Sequence, residues 1–287
     1  MSKDKKILIV GLGFIGGGYA AALTEKGYYV GALTRSRKSI DYALDKRIIS
    51  EGTTEISKDF ISKYDIVVFS LYPNAFVNWI SENQHVLKTG VLLTDVTGVK
   101  SSIVYRIQSM LRKDLEFVPA HPMAGRELSG VENSTPQVFK DANYIVTPTS
   151  ANTAGAIEDV KELGRIIGFG NISVLSPENH DEMIGFLSQL THCIAVSLMT
   201  CRETGELRAF SGDSFRDLTR IANINDEMWS ELFMMNKDEL LKQMDLFANQ
   251  FSALRKAVAS DDMEAMKSMM RLSSKRRKLF DKEVKSV

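Results

Sequence analysis

Ile7-Leu8-Ile9-Val10-Gly11-Leu12-Gly13-Phe14-Ile15-Gly16 is the stretch whose reading decides the fold. Four apolar residues of strand type run into a G-x-G-x-x-G turn, and a helical pattern begins near Phe14. In that setting each glycine has a reason: Gly11 permits the tight turn, Gly13 lets a pyrophosphate reach the backbone, and Gly16 lets helix and strand pack closely. The pyrophosphate then rests on free N–H groups at the positive end of the helix, so Gly11, Gly13, Phe14, Ile15 and Gly16 are cofactor-site candidates.

Working outward, short β-rich runs alternate with helical stretches up to about residue 150. Ile7-Val10, Tyr29-Leu33, Ile66-Leu71, Val91-Thr94, Phe117-Val118 and Tyr144-Thr147 read as strands. Near-continuous apolar strands between helices predict a mostly parallel sheet covered on both faces. Gly168-Phe169-Gly170 ends a helix over 152–166, and a last strand, Ile172-Leu175, precedes Ser176-Pro177. From about His180 the texture changes to long helices, 180–204, 226–258 and 261–282, rich in Met, Leu and Phe. The expectation is an α/β Rossmann-type dinucleotide-binding domain over 1–172, then an all-α helical domain over 173–287 that completes the substrate site and pairs with a second copy as a homodimer. Those helices have little sheet to pack against, so their apolar faces must meet one another or another subunit.

Lys+Arg and Asp+Glu are both 36, and hydrophobic residues make up 44% of the 287. That balance predicts a folded soluble protein and gives no reason to expect a nucleic acid or an anionic membrane as partner. The apolar Ile7-Val10 run is too short for a signal or a membrane span, which predicts a cytoplasmic protein. Cys193 and Cys201 lie eight residues apart in one helical stretch, roughly 12 Å of axial rise, too far for a disulfide. No Cys/His cluster has metal-ligand spacing, so no metal is expected.

The cofactor's sugar is read about 20 residues past the motif, where NAD-binding units carry an acidic residue. Here the place reads Leu33-Thr34-Arg35-Ser36-Arg37-Lys38. Two arginines and two hydroxyls in place of a carboxylate favour a 2′-phosphate, making NADP the first choice and NAD the second. Thr34, Arg35 and Ser36 are therefore added to the cofactor set.

Four later segments matter: Asp95-Val96-Thr97-Gly98-Val99-Lys100, His121-Pro122-Met123-Ala124-Gly125-Arg126-Glu127-Leu128-Ser129-Gly130, Leu187-Ser188-Gln189-Leu190-Thr191-His192, and Phe215-Arg216-Asp217-Leu218-Thr219-Arg220-Ile221-Ala222. In this order and spacing the chain resembles the prephenate and arogenate dehydrogenase family of tyrosine biosynthesis, from Ile7 to about residue 260. The resemblance implies a nicotinamide-dependent oxidative decarboxylation: hydride leaves the carbon bearing the ring 4-hydroxyl, carbon dioxide leaves the opposite carbon, and the ring becomes aromatic. It implies His121 as the group that takes the hydroxyl proton, work suited to a neutral imidazole. It makes His192 a second active-site histidine and Arg220 the planar, two-pronged holder of the ring carboxylate. Ser70, Leu71, Tyr72 and Asp95, at strand ends, are assigned to the cofactor crevice.

One departure from the family pattern is Gly98, where many members carry a serine whose hydroxyl bonds the catalytic histidine. Thr97 or a water is the expected substitute, and Thr97 is placed at the substrate. Arg126 and Glu127 are placed there too, with Arg126 suited to the side-chain carboxylate of prephenate, or else to an ion pair with Glu127 or Glu132. The rival readings are another two-domain dehydrogenase acting on a small hydroxy acid or imine, and a non-catalytic NADP-binding sensor suggested by Gly98.

Overall fold

A computed structural model describes residues 1–125, 128–203 and 205–281. Six strands form an all-parallel sheet: β1 (Lys6–Val10), β2 (Tyr29–Leu33), β3 (Glu51–Thr53), β4 (Ile66–Phe69), β5 (Leu92–Asp95) and β6 (Glu116–Phe117), in the order β3-β2-β1-β4-β5-β6. The helices among them are α1 (Phe14–Glu25), α2 (Arg37–Asp45), α3 (Lys58–Ile61), α4 (Pro73–Asn83) and α5 (Ser101–Met110). Alternation along β1 builds a core on each face: Ile7 and Ile9 join Tyr19, Leu23 and Val30 on one side, while Leu8 and Val10 join Phe69, Phe76 and Ile80 on the other. The strand order reverses between β1 and β4, so a crevice opens at their carboxyl ends, where Gly11 and Ser70 lie.

The expected single sheet is in fact two. Strands β7 (Ala120–Met123), β8 (Asn143–Val146) and β9 (Asn171–Val174) form a separate mixed sheet, β7 antiparallel to β8 and β8 parallel to β9, with α6 (Ala154–Ile167) between β8 and β9. β7 is not among the expected strands; it carries Pro122, which it tolerates as an edge strand. His121 therefore sits inside a strand of the second sheet, opposite Ile145.

The expected helix 180–204 is a rod of three pieces: α7 (Pro177–Ile184), a π-helical stretch Gly185–Leu190, and α8 (Thr191–Thr200). The rod is long and apolar enough to cross a membrane by length and composition alone, yet Ile184, Leu190 and Ala195 are buried in the protein. Next come α9 (Asp213–Thr219), α10 (Asp226–Met235), α11 (Lys237–Ala259) and α12 (Met263–Arg277). The chain falls into two compact units, Met1–Lys237 and Asp238–Val287. In the second, no residue of α12 is buried, and Phe251, Met263, Met270 and Leu272 stand exposed.

A buried ion pair braces the first unit where the two sheets meet. Lys100 Nζ lies 2.7 Å from Asp95 Oδ2, both side chains wholly inaccessible. Lys100 Nζ also donates to Thr97 Oγ1 (3.2 Å) and to the Ala120 carbonyl (2.5 Å). Asp95 accepts from the Ala120 amide (3.0 Å), the Thr97 amide (3.0 Å) and the Thr97 hydroxyl. Burial pushes the Lys100 ammonium below its ordinary pKa, against the pull of Asp95. Removing one member leaves the other charge unpaired in the interior, so Asp95→Ala is expected to cost about 3–5 kcal/mol of unfolding free energy. The double variant Asp95→Ala/Lys100→Met is expected to cost less than Asp95→Ala alone. Urea unfolding of both checks this, and a double variant as damaged as the single one would contradict it.

Candidate active site

The cofactor end is built by close backbone contact. Gly11 has φ +96°, and a Cβ there would lie 2.2 Å from the Ser70 carbonyl oxygen; a Cβ on Gly16 would lie 2.0 Å from the Gly11 carbonyl oxygen. Only glycine fits either place. A Cβ on Gly13 would meet no protein atom within 4 Å, so the space above it is open. α1 begins at Phe14 with no side-chain cap and no acidic residue in its first turn, leaving its N–H groups to an anion. The residues present thus fit a dinucleotide pyrophosphate.

At the end of β2 two of the polar groups have partners within α2. The Ser36 hydroxyl accepts the Ser39 amide and caps α2, and Arg37 pairs with Asp41 at 2.9 Å. Arg35 is exposed at the strand end and Thr34 is half-buried. Across the crevice Ser70 donates its amide to Val10 O (2.7 Å), Leu71 is half-buried, and Tyr72 is exposed at the start of α4. Asp95 differs from its expected role: its side chain has no exposed atom to offer a cofactor and serves the ion pair with Lys100.

His121 is held from one side. Its Nδ1 lies 2.9 Å from His180 Nε2, and His180 Nδ1 lies 2.8 Å from Asp181 Oδ1. Asp181 also accepts the Lys100 amide (2.8 Å) and the Ser101 amide (2.7 Å), at the start of α5. His180 and Asp181 are buried in α7. Burial raises the Asp181 pKa, but the bonds from His180 and the two amides outweigh it and hold the carboxyl below the usual range. Desolvation, with His180 and Lys100 nearby, pushes the His121 imidazole well below the ordinary histidine value; burial also lowers His180, against the pull of Asp181. Both rings are thus neutral near pH 7.

On the other side of the ring is Gly98. A Cβ there would lie 3.7 Å from His121 Nε2 and 3.6 Å from Leu232 Cδ2, ordinary contact distances. Thr97 does not supply the missing hydroxyl: the residue is buried, and its Oγ1 bonds Asp95, Lys100 and the Val99 carbonyl, not His121.

The helical wall is set by Gln189 and α10. Gln189, in the π-helical stretch, donates to the Leu232 carbonyl (3.0 Å) and accepts from Asn236 (2.8 Å), which also donates to the Asp181 carbonyl (2.9 Å). His192 is half-buried; its Nδ1 donates to the Ser188 carbonyl (2.8 Å), and its ring packs at a tilt of 30° on Trp229, with centroids 3.7 Å apart. Trp229 and Leu232 are three residues apart on α10 and share a face, so α10 packs against His192 and lies beside Gly98. α10 and its N-cap also reach the cofactor side: Glu231 accepts the Asn74 amide, and Asn225, which caps the helix, donates to the Tyr72 hydroxyl (3.3 Å). Arg220 is exposed in the turn Arg220–Ala222, which packs against α8. Arg126 and Glu127 lie outside the described residues.

Sequence reasoning missed Lys100, His180, Asp181 and Trp229 as parts of this site. A signal for one pair existed: His180-Asp181 puts an acceptor beside an imidazole at the start of a helix.

Residues 19–169 match the family description "Prephenate dehydrogenase, nucleotide-binding domain", and residues 176–272 match "Prephenate dehydrogenase, dimerization domain". The chain is 29% identical to the cyclohexadienyl dehydrogenase of Zymomonas mobilis subsp. mobilis over 96% of each protein. It is 28% identical to the prephenate dehydrogenase of Bacillus subtilis, over 90% of this chain and 71% of that one. Among solved structures, the prephenate dehydrogenase of Aquifex aeolicus in complex with hydroxyphenyl propionate and NAD+ superimposes with a TM-score of 0.89 at 31% identity, covering 98% of this chain and 99% of that one. The arogenate dehydrogenase of Synechocystis shares the fold, with a TM-score of 0.81 at 20% identity over 96% of this chain and all of that one. With a glycine cradle for a dinucleotide, a neutral histidine at the meeting of sheet and helices, and both halves matched, the chain belongs to the prephenate dehydrogenase family.

Proposed function

We propose that this enzyme oxidatively decarboxylates prephenate, or arogenate, its counterpart with an amino group on the side chain, as a step of tyrosine biosynthesis. The observation that carries the reading is His121, neutral, held at Nδ1 and turned with Nε2 toward the space beside Gly98. The nicotinamide, when bound, takes the hydride. His121 Nε2 accepts the proton of the ring 4-hydroxyl as the carbon bearing it is oxidised. Arg220 holds the ring carboxylate, Arg126 and Glu127 meet the substrate side chain, and His192, steadied by Trp229, lines the ring. Residues 1–172 carry the cofactor and 173–287 the helical wall and the dimer contact. The enzyme works in the cytoplasm as a homodimer, through the exposed apolar faces of α11 and α12, among them Leu246, Phe251, Met263 and Met270.

Turnover of prephenate and arogenate, each with NAD and NADP, followed by nicotinamide absorbance, tests the reading. Turnover of a hydroxy acid with none of either cyclohexadienyl acid would overturn it.

Three expectations follow from these proposed roles. A base acts mainly in the transition state, so His121→Asn is expected to lower kcat by about 10²–10⁴-fold with little change in KM. In the native enzyme the acid limb of kcat/KM falls below the ordinary histidine value of about 6.5, because the base must be neutral and its pKa is lowered. Near-native turnover of His121→Asn would remove His121 as the base. Arg220→Ala, by contrast, raises KM more than it lowers kcat.

NADP is the preferred cofactor in this proposal, on the exposed Arg35 and the missing carboxylate after β2. Arg35→Asp is expected to weaken NADP binding by roughly 1.5–3 kcal/mol and leave NAD binding much less changed. Titration calorimetry measures both, and a native preference for NAD would refute it. For the assembly, light scattering at micromolar concentration is expected to give the mass of a dimer; a monomer would refute it.

A further inference from the structure

We infer that His180 and Asp181 are positioning residues that hold His121 in the tautomer with its proton on Nδ1, leaving Nε2 as a lone-pair acceptor beside Gly98. The inference rests on the reading of His121 as the base and adds how that base is kept in a competent form.

The direction of each hydrogen bond follows from its partners. Asp181 Oδ1 accepts the Lys100 amide and Oδ2 the Ser101 amide, groups that can only donate. An ionised carboxylate has no proton to give, so the hydrogen between Asp181 Oδ1 and His180 Nδ1 sits on the imidazole. A neutral imidazole carries a single N–H, so His180 Nε2 is then an acceptor. The 2.9 Å contact to His121 is made only if His121 Nδ1 donates. That leaves the lone pair of His121 on Nε2. The order of protons is fixed at its far end by two backbone amides of the α5 N-terminus, which cannot reverse.

A relay of this kind matters more here because residue 98 is glycine. Gly98 brings no side chain of its own to Nε2, and among the described residues no hydrogen bond on that side steers the ring. Orientation and tautomer are both set from Nδ1, through His180, which is wholly buried and has both ring nitrogens committed. The directions of titration agree: burial keeps His180 from carrying the charge that would let it donate from both nitrogens.

The chain has four histidines, His85, His121, His180 and His192, so the ring nitrogens of ¹⁵N-histidine-labelled protein are resolvable by long-range ¹H–¹⁵N correlation. In the full-length wild type, without substrate, His121 is expected to show a protonated Nδ1 and an unprotonated Nε2. His180→Gln keeps a carbonyl for the His121 proton and is expected to preserve that tautomer; His180→Leu removes the acceptor, and His121 shifts toward Nε2–H. In parallel, kcat falls at least about tenfold in His180→Leu with KM little changed, and His180→Gln recovers part of the loss. A wild-type His121 protonated on Nε2 overturns the inference, and that reading needs no variant to fold. A His180→Leu enzyme with unchanged tautomer and unchanged kcat overturns it as well. Because the tautomer is read without substrate, an Nδ1-protonated His121 in an enzyme inactive on cyclohexadienyl acids upholds the positioning role and overturns only the substrate reading.

Discussion

The pairing of Asp95 with Lys100 in the interior is the constraint on which the site depends. Two charges removed from water are tolerated only where the geometry is good and the remaining protons and lone pairs are satisfied. Here the ammonium finds three acceptors and the carboxylate three groups that donate besides it or through it, all within the protein. The pair grips one residue through both of its backbone groups: Asp95 accepts a hydrogen bond from the Ala120 amide, and Lys100 donates one to the Ala120 carbonyl. Ala120 is the residue before His121. The backbone that carries the proposed base is thus fastened to the end of β5 and the start of α5 by an interaction that cannot relax without exposing a buried charge. The Lys100 amide then passes to Asp181, so one residue ties the ion pair to the histidine relay.

What was legible in the sequence was what local geometry forces. In the β1–α1 turn Gly11 and Gly16 are each demanded by a close backbone approach, and the parallel strands announce themselves as apolar runs. What was not legible depends on residues far apart in the chain. The second sheet has strands of four residues, one carrying a proline, and its mixed pairing leaves no distinctive period. His180 meets His121 across 59 positions, once α7 has docked on α5, and nothing near either residue says so. Asp95 looked like a cofactor ligand because it ends a strand that points at the crevice. The fully buried lysine that claims it, five residues on, reads in sequence as an ordinary surface cation.

The helical wall shows why position in the chain is a poor guide to membership of the site. α10 lies beyond the boundary expected between the two domains, yet it is in the first compact unit and reaches three parts of the crevice: Leu232 near Gly98, Trp229 under His192, and Glu231 and Asn225 at the β4–α4 turn. The π-helical stretch before α8 belongs to the same arrangement. An extra residue in the turn re-aims the side chains after it, and it is from this stretch that Gln189 bonds α10 and Asn236.

Gly98 is best understood against these fixed surroundings. Its backbone is not in the left-handed region, and a Cβ would sit at ordinary distances from its neighbours, so the fold does not require glycine there. The consequence is chemical. A serine hydroxyl beside Nε2 has two ways to bond a histidine. It can accept, which needs a proton on Nε2 and so a ring unable to act as base, or it can donate, which occupies the lone pair and must be displaced by the substrate. Glycine offers neither. With Nδ1 already committed to His180, and no bond to Nε2 among the described residues, the lone pair of His121 is left for the hydroxyl of the ring that is to be oxidised. What a serine would contribute from the front in holding the imidazole is supplied here from behind, by a carboxylate that two backbone amides keep in place.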